Sequence, residues 1–170
     1  MSAAHTPPEM VLLSDPKGAK ILRARTKAFV FSNFTPKEIR ELVARMRRIM
    51  REANGIGLSA NQIGLDLRMF VAEVPDAHGG LKFYAVFNPE LEKMSDETAT
   101  SEEGCLSIPG KFGDVARAQQ LTLKGQDKNG KPLKIKAWGL LARVFQHECD
   151  HLDGMVFIDR AKEVHDEETS

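Results

Sequence analysis

The spacing of hydrophobic positions changes as the chain proceeds. Between Thr35 and Gly55, the apolar residues Ile39, Leu42, Val43, Met46, Ile49 and Met50 recur at helical spacing and share one face. The flanks agree. Thr35 is a good N-cap, Pro36 fits the first helical position, and Glu38 falls where it completes a capping box. Asn54 and Gly55 supply a stop, so a helix is predicted from about Pro36 to Ala53. Strand-like runs rich in β-branched and aromatic residues follow at Leu67 to Val74 and Phe83 to Phe87. Leu121 to Gln126 and Leu133 to Trp138 flank Asp127-Lys128-Asn129-Gly130, a hairpin signal. A second helix is predicted from Gly139 or Leu140 to Asp153-Gly154. One long helix, several strands and a second helix indicate an α+β fold rather than an alternating βαβ wind.

Length adds that 170 residues suffice for one domain with one sizeable core. No linker or repeat divides it. The core is expected over about 15–160, with residues 161–170 as a flexible acidic tail. Lys plus Arg and Asp plus Glu are both 24, which argues against nucleic acid or an acidic membrane as the main partner. Cys105 and Cys149 are too few for a disulfide framework and suit a reducing compartment. Residues 1–8 lack both a basic start and an apolar stretch, and no run approaches the ~18 apolar residues of a membrane span. The expectation is a soluble cytoplasmic protein.

Candidate chemistry centres on His147-Glu148-Cys149-Asp150-His151. Histidines at i and i+4 lie about one helical turn apart and can converge on one metal, with Glu148 beside them as a candidate general base. The apolar run Leu140 to Phe145 implies a buried helix, where charged groups need partners. A catalytic site needs a third ligand. His165, Glu163, Glu167 and Glu168 lie downstream, in or near the polar tail. Cys105 lies upstream behind Gly104, as a metal thiolate or as an ordinary buried thiol. Cys149, at i+2 from His147, points elsewhere and reads as core. The glycine-rich segment Asn54 to Gly64 reads alone as a helix cap and turn; its functional alternative is a backbone lying close to an extended ligand, with Gln62 as an amide donor.

Together these segments resemble the three motifs of the peptide deformylase family, G-x-G-L-x-A-x-Q, E-G-C-L-S and Q-H-E-x-D-H. They stand here, in that order, as Gly55-Ile56-Gly57-Leu58-Ser59-Ala60-Asn61-Gln62, Glu103-Gly104-Cys105-Leu106-Ser107 and Gln146-His147-Glu148-Cys149-Asp150-His151. The resemblance spans about Asp15 to Arg160, and Ser59 stands where alanine is common. It implies a single catalytic domain with antiparallel sheets around a central metal-binding helix. It also implies hydrolysis of the N-formyl group of N-formylmethionyl nascent peptides, with formate released. Cys105, His147 and His151 would hold one divalent ion and a water. That ion is implied to be Fe²⁺ in the cell, with Zn²⁺, Ni²⁺ and Co²⁺ also suiting the donors. Glu148 would serve as general acid and base, with the Gln62 amide and the Leu106 N–H stabilising the charged oxygen.

Substrate contacts are expected from Ile56, Gly57, Leu58, Gly104 and Val144. The backbone of residues 55–58 would add to an extended peptide, and Ile56, Leu140 and Val144 are candidates for a methionine pocket. Leu140 reads equally well as core. Arg143 is expected to pair with a carboxylate, Glu103 being one candidate, and Asp150 to orient a ligand or cap a neighbouring backbone. Expected partners are formylmethionyl peptides on nascent chains at the ribosome, with no membrane and no readable nucleic-acid site. The implied setting is bacterial cytoplasm. A zinc peptidase and a metal- or peptide-binding relative without turnover stand as the competing classes.

Overall fold

A computed structural model describes residues 6, 7 and 9–167. The elements run α1 (Pro16–Leu22), α2 (Pro36–Glu52), β1 (Gly57–Ser59), β2 (Met69–Pro75), β3 (Leu81–Glu92), β4 (Thr98–Cys105), β5 (Ile108–Ala118), β6 (Gln120–Gln126), β7 (Pro132–Trp138), α3 (Gly139–Leu152) and β8 (Val164–Asp166). They form two antiparallel sheets, ordered β1-β2-β3-β6-β7 and β4-β5-β8. The fold is α+β, as the alternation of patterns indicated.

α2 begins as its sequence dictates. Thr35 accepts from the Glu38 N–H at 3.2 Å, and the Glu38 carboxylate accepts from the Thr35 N–H at 2.6 Å. Ile39, Met46, Ile49 and Met50 are buried, while Leu42 and Val43 sit half-buried at the margin of the same cluster. That cluster covers one face of the five-stranded sheet through Met69, Val71 and Phe87. On the other face Phe70, Ala72 and Val74 pack with Leu121, Leu123 and the α3 residues Ala142, Val144, Phe145, Cys149 and Leu152. β2 is thus covered on both sides. This accounts for its continuous apolar run where a half-exposed strand would alternate.

Several segments differ from expectation, α1 and β1 among them, since no helix or strand was predicted there. β3 extends past Phe87 through a bulge, with Asn88 at φ 49° and its side chain bonded to the Phe29 N–H at 2.7 Å and the Phe29 carbonyl at 3.0 Å. Asn88-Pro89 reads as a strand end in sequence, yet here it is a kink inside one. β4 and β5 are polar, glycine-bearing strands with no alternation to announce them; they are defined by pairing with each other. The tail is not uniformly frayed, because Val164 to Asp166 pairs with Lys111 to Gly113. Its last residues, 168–170, lie outside the described residues.

Candidate active site

α3 carries His147 and His151 one turn apart, with their Nε2 atoms 3.1 Å from each other. Cys105 arrives from the end of β4, where the ladder with β5 shifts register between Gly104 and Cys105. The shift delivers Sγ to 3.2 Å from His151 Nε2, and one ligand atom from each of the three residues lies within 4.8 Å of the others. Cys105 is therefore the third candidate donor, and Glu163, His165 and Glu167 are not part of this cluster; Glu168 lies outside the described residues.

The surroundings fit a cation. Burial works against the charged form of His147, yet Cys105 and Glu103 beside it push its pKa up to about 10. Burial and the neighbouring His147 charge push His151 well down. Two imidazole nitrogens and a sulfur converge, all atoms that ligate divalent metals, and such an ion among them would supply the positive charge that His147 otherwise carries.

Glu103 fixes the orientation of His147. Its carboxylate accepts from His147 Nδ1 at 2.9 Å, leaving Nε2 to face Cys105 and His151. It also takes two bonds from Arg117, both 2.9 Å, and one from Arg143 at 2.7 Å. Burial would raise the Glu103 pKa, but Arg117 and His147 overcome it and hold this carboxyl far below the usual range. Arg117 continues to Asp150, which also binds Arg160 through Nη2 at 2.7 Å. The expected Arg143–Glu103 pair is present. Asp150 anchors the helix to two arginines and is not itself in the ligand cluster.

Glu148 is 3% exposed, and burial pushes its pKa up. The Ser59 hydroxyl reaches one of its oxygens at 2.6 Å. Gly57 lies directly beneath, and a Cβ there would stand 2.2 Å from Glu148 Oε1. The Gln62 side chain accepts from the Ser59 N–H at 2.9 Å, and its Nε2 lies 3.2 Å from Ser107 Oγ and 3.6 Å from Cys105 Sγ. Among the described residues the Leu106 N–H has no acceptor. A cavity of about 420 Å³ opens here, lined by Ile56, Gly57, Gln62, Gly104, Cys105, Leu106, Leu140, Val144, His147 and Glu148 among others.

The Leu58 side chain is fully buried in the α2 cluster because β1 alternates, which leaves its backbone for the contact expected of it. Leu140 is 48% exposed and lines the cavity, which settles its role against core packing. Cys149 is buried core, as its spacing suggested. Sequence reasoning missed Arg117, Ser59 and Ser107. Arg117 carries no local signal, since it reaches Glu103 only through the β4–β5 pairing. The signal for Ser59 was its place in the first motif where alanine is common, two residues from Gly57.

Comparison with known proteins agrees with this geometry. The family model described as polypeptide deformylase matches residues 10–167. A peptide deformylase of Pelotomaculum thermopropionicum is 43% identical over 147 residues, covering 86% of this chain and 89% of the relative. One from Picosynechococcus is 41% identical over 145 residues, 85% of this chain and 76% of the relative. The crystal structure of the Thermotoga maritima peptide deformylase superposes with a TM-score of 0.78 at 35% identity, over 91% of this chain and 97% of that one. The chain belongs to the peptide deformylase family, metal-dependent hydrolases that remove the N-formyl group from nascent peptides.

Proposed function

We propose that Cys105, His147 and His151 hold one divalent ion, that Glu148 moves the protons, and that Gln62 and the Leu106 N–H receive the charge on the formyl oxygen. The observation that carries this is the convergence of the three donor atoms beside a buried glutamate in one cavity. When bound, the ion supplies Lewis acidity and lowers the pKa of a coordinated water. Glu148 is suited to the proton work because burial favours its protonated form, so it holds a proton more readily than an exposed carboxylate and can return it to the leaving amine. Ser59 holds the carboxylate in place from one side, and Gly57 leaves room for it on the other. Gln62 is braced at both ends of its amide, so its donor needs no reorganisation; one such donor typically supplies ~3 kcal/mol.

Substrate enters extended. β1 is an edge strand of its sheet, and its backbone offers an unused ladder to a peptide. The methionine side chain is assigned to the apolar wall made by Ile56, Leu140 and Val144, with Gly104 giving the backbone close approach. The donor set admits several ions. Fe²⁺ is our reading for the cell, supported by the family resemblance and by the affinity of thiolate and imidazole for iron. Bacterial cytoplasm is the setting we infer from the bacterial relatives. No helix of the described residues is long and apolar enough to cross a membrane. The site's access to nascent chains at the ribosome belongs to the same reading.

The test is formate release from a formyl-Met tripeptide by protein purified anaerobically with Fe²⁺ and, separately, with Zn²⁺. Release, faster with Fe²⁺, is expected. Cleavage of an internal bond in an unformylated peptide would instead favour the zinc peptidase. Equal rates with both ions would remove the ground for iron.

A further inference from the structure

The net charge of zero hides a local excess. Residues 120–138, the β6–β7 hairpin, carry Lys124, Lys128, Lys131, Lys134 and Lys136 against a single acid, Asp127. Asp127 is occupied by the turn itself, accepting from the Asn129 and Lys131 N–H groups at 2.8 and 3.0 Å. Lys124 pairs with Glu92 at 2.8 Å, and Glu90 of β3 stands opposite Lys124 in the ladder. Among the described residues, Lys128, Lys131, Lys134 and Lys136 enter no ion pair.

β7 is the outer strand of its sheet and alternates cleanly. Leu133, Ile135 and Ala137 turn to the core, while Lys134, Lys136 and Trp138 face out. Alternate residues on a strand stand about 6.6–6.8 Å apart, so two ammonium groups and an indole form one line. Lysines on an edge strand have an ordinary purpose, since they discourage edge-to-edge pairing. That purpose does not require Trp138, which is 71% exposed and is the only tryptophan in the chain. Its cross-strand neighbours on this face are polar: Gln120 opposite Trp138, Thr122 opposite Lys136 and Lys124 opposite Lys134. A single ring on an otherwise polar face is too little apolar area to seat in a lipid interface. It is what stacking on an unpaired base uses, with lysines on the flanking phosphates.

We propose that the Lys134–Lys136–Trp138 face binds single-stranded RNA. The choice of RNA as the polyanion rests on the reading above that the substrate is a growing peptide, which is made among RNA. A paired base is already stacked, so the indole selects unpaired segments. Trp138 runs directly into Gly139 and Leu140, and Leu140 lines the substrate cavity, so the stripe ends at the cavity's rim.

Because Trp138 is the sole tryptophan, its emission reports this site alone. The metal-loaded full chain is titrated with a structure-free 12-nucleotide RNA in 50 mM salt. Saturable quenching is expected, with an affinity that falls with salt at a log–log slope of about −1.4 to −2 for two to three phosphate contacts. By anisotropy of labelled RNA, Trp138→Leu is expected to bind at least ~5-fold more weakly, the low end for one lost stacking contact. A Lys134→Glu/Lys136→Glu double variant is expected to lose binding by ~10-fold or more. Formate release from a tripeptide should be unchanged in both, which also shows that they fold. No saturable quenching would overturn the proposal. So would equal binding of duplex RNA without quenching, which means a generic basic surface, or an emission shift with anionic vesicles but none with RNA. RNA binding is read without turnover, so its failure and a failure of the deformylase reading are separately visible.

Discussion

Gly57→Ala is the sharpest structural test of how Glu148 is held. A Cβ at residue 57 would lie 2.2 Å from Glu148 Oε1 and 2.8 Å from its Cδ. Contacts below about 3.0 Å do not persist, so the carboxylate must retreat by about 0.8 Å. It cannot do so freely. The Ser59 hydroxyl holds one oxygen at 2.6 Å, and the side chain is 3% exposed. A displacement near 1 Å at a reacting group costs on the order of 100-fold in rate. The proposed ligands Cys105, His147 and His151 are not among the groups the added methyl would meet. The expected result is therefore a ~100-fold lower kcat/KM for formate release, with one equivalent of metal retained and a loss of stability of about 1–3 kcal/mol from the added methyl. Activity within threefold of wild type would refute the claim that Glu148 acts from this position. A loss explained by missing metal would refute the claim that the two functions are separable.

Other consequences can be measured independently. Arg117→Leu removes a buried guanidinium that bridges Glu103 and Asp150. Breaking such a pair costs ~3–5 kcal/mol, and because Arg143 and Arg160 remain, the lower figure is expected, a fall in Tm of about 6–12 °C; a fall under 2 °C would show the network to be idle. Glu73 is buried, and Arg51 and Arg47 lower its pKa against the effect of burial. Its stabilising contribution should be complete above the unfolded carboxylate value of ~4.3 and fade as pH falls through the lower folded value. The gap in urea unfolding between wild type and Glu73→Gln should accordingly narrow below about pH 4; a gap that widens on acidification contradicts the pairing. Chelation should lower the Tm of the wild type and leave that of Cys105→Ala unmoved, since binding to the folded state alone stabilises it; an equal effect on both would place the ion elsewhere.

Local signals carried α2 and α3, while α1 went unread although Asp15 caps it and Pro16 opens it. Thr35, Pro36 and Glu38 announce the start of α2 because capping is a short-range contact, and the i, i+4 histidines announce α3 for the same reason. The candidate donor set came from the family resemblance, which rests on three contiguous motifs; alone, Cys105 read also as a buried thiol. What escaped were groups that meet only through tertiary pairing. Arg117 stands 14 residues from Glu103 and meets it across the β4–β5 hairpin, whose polar strands have no periodicity to read. β8 escaped because its residues are exposed and are held by backbone pairing to β5 alone. The Leu58 side chain is turned to the core by strand alternation, which leaves the backbone role expected of residues 55–58 open to it.

The most direct measurement is single-turnover formate release from a formyl-Met tripeptide by Glu148→Gln, compared with wild type at equal Fe²⁺ content. The substitution preserves shape and the Ser59 contact but removes the proton acceptor. Full metal occupancy with a rate lowered by ~10²–10⁴-fold is expected. A Glu148→Gln rate within tenfold of wild type at full occupancy would contradict the assignment of Glu148 as the group that moves the proton.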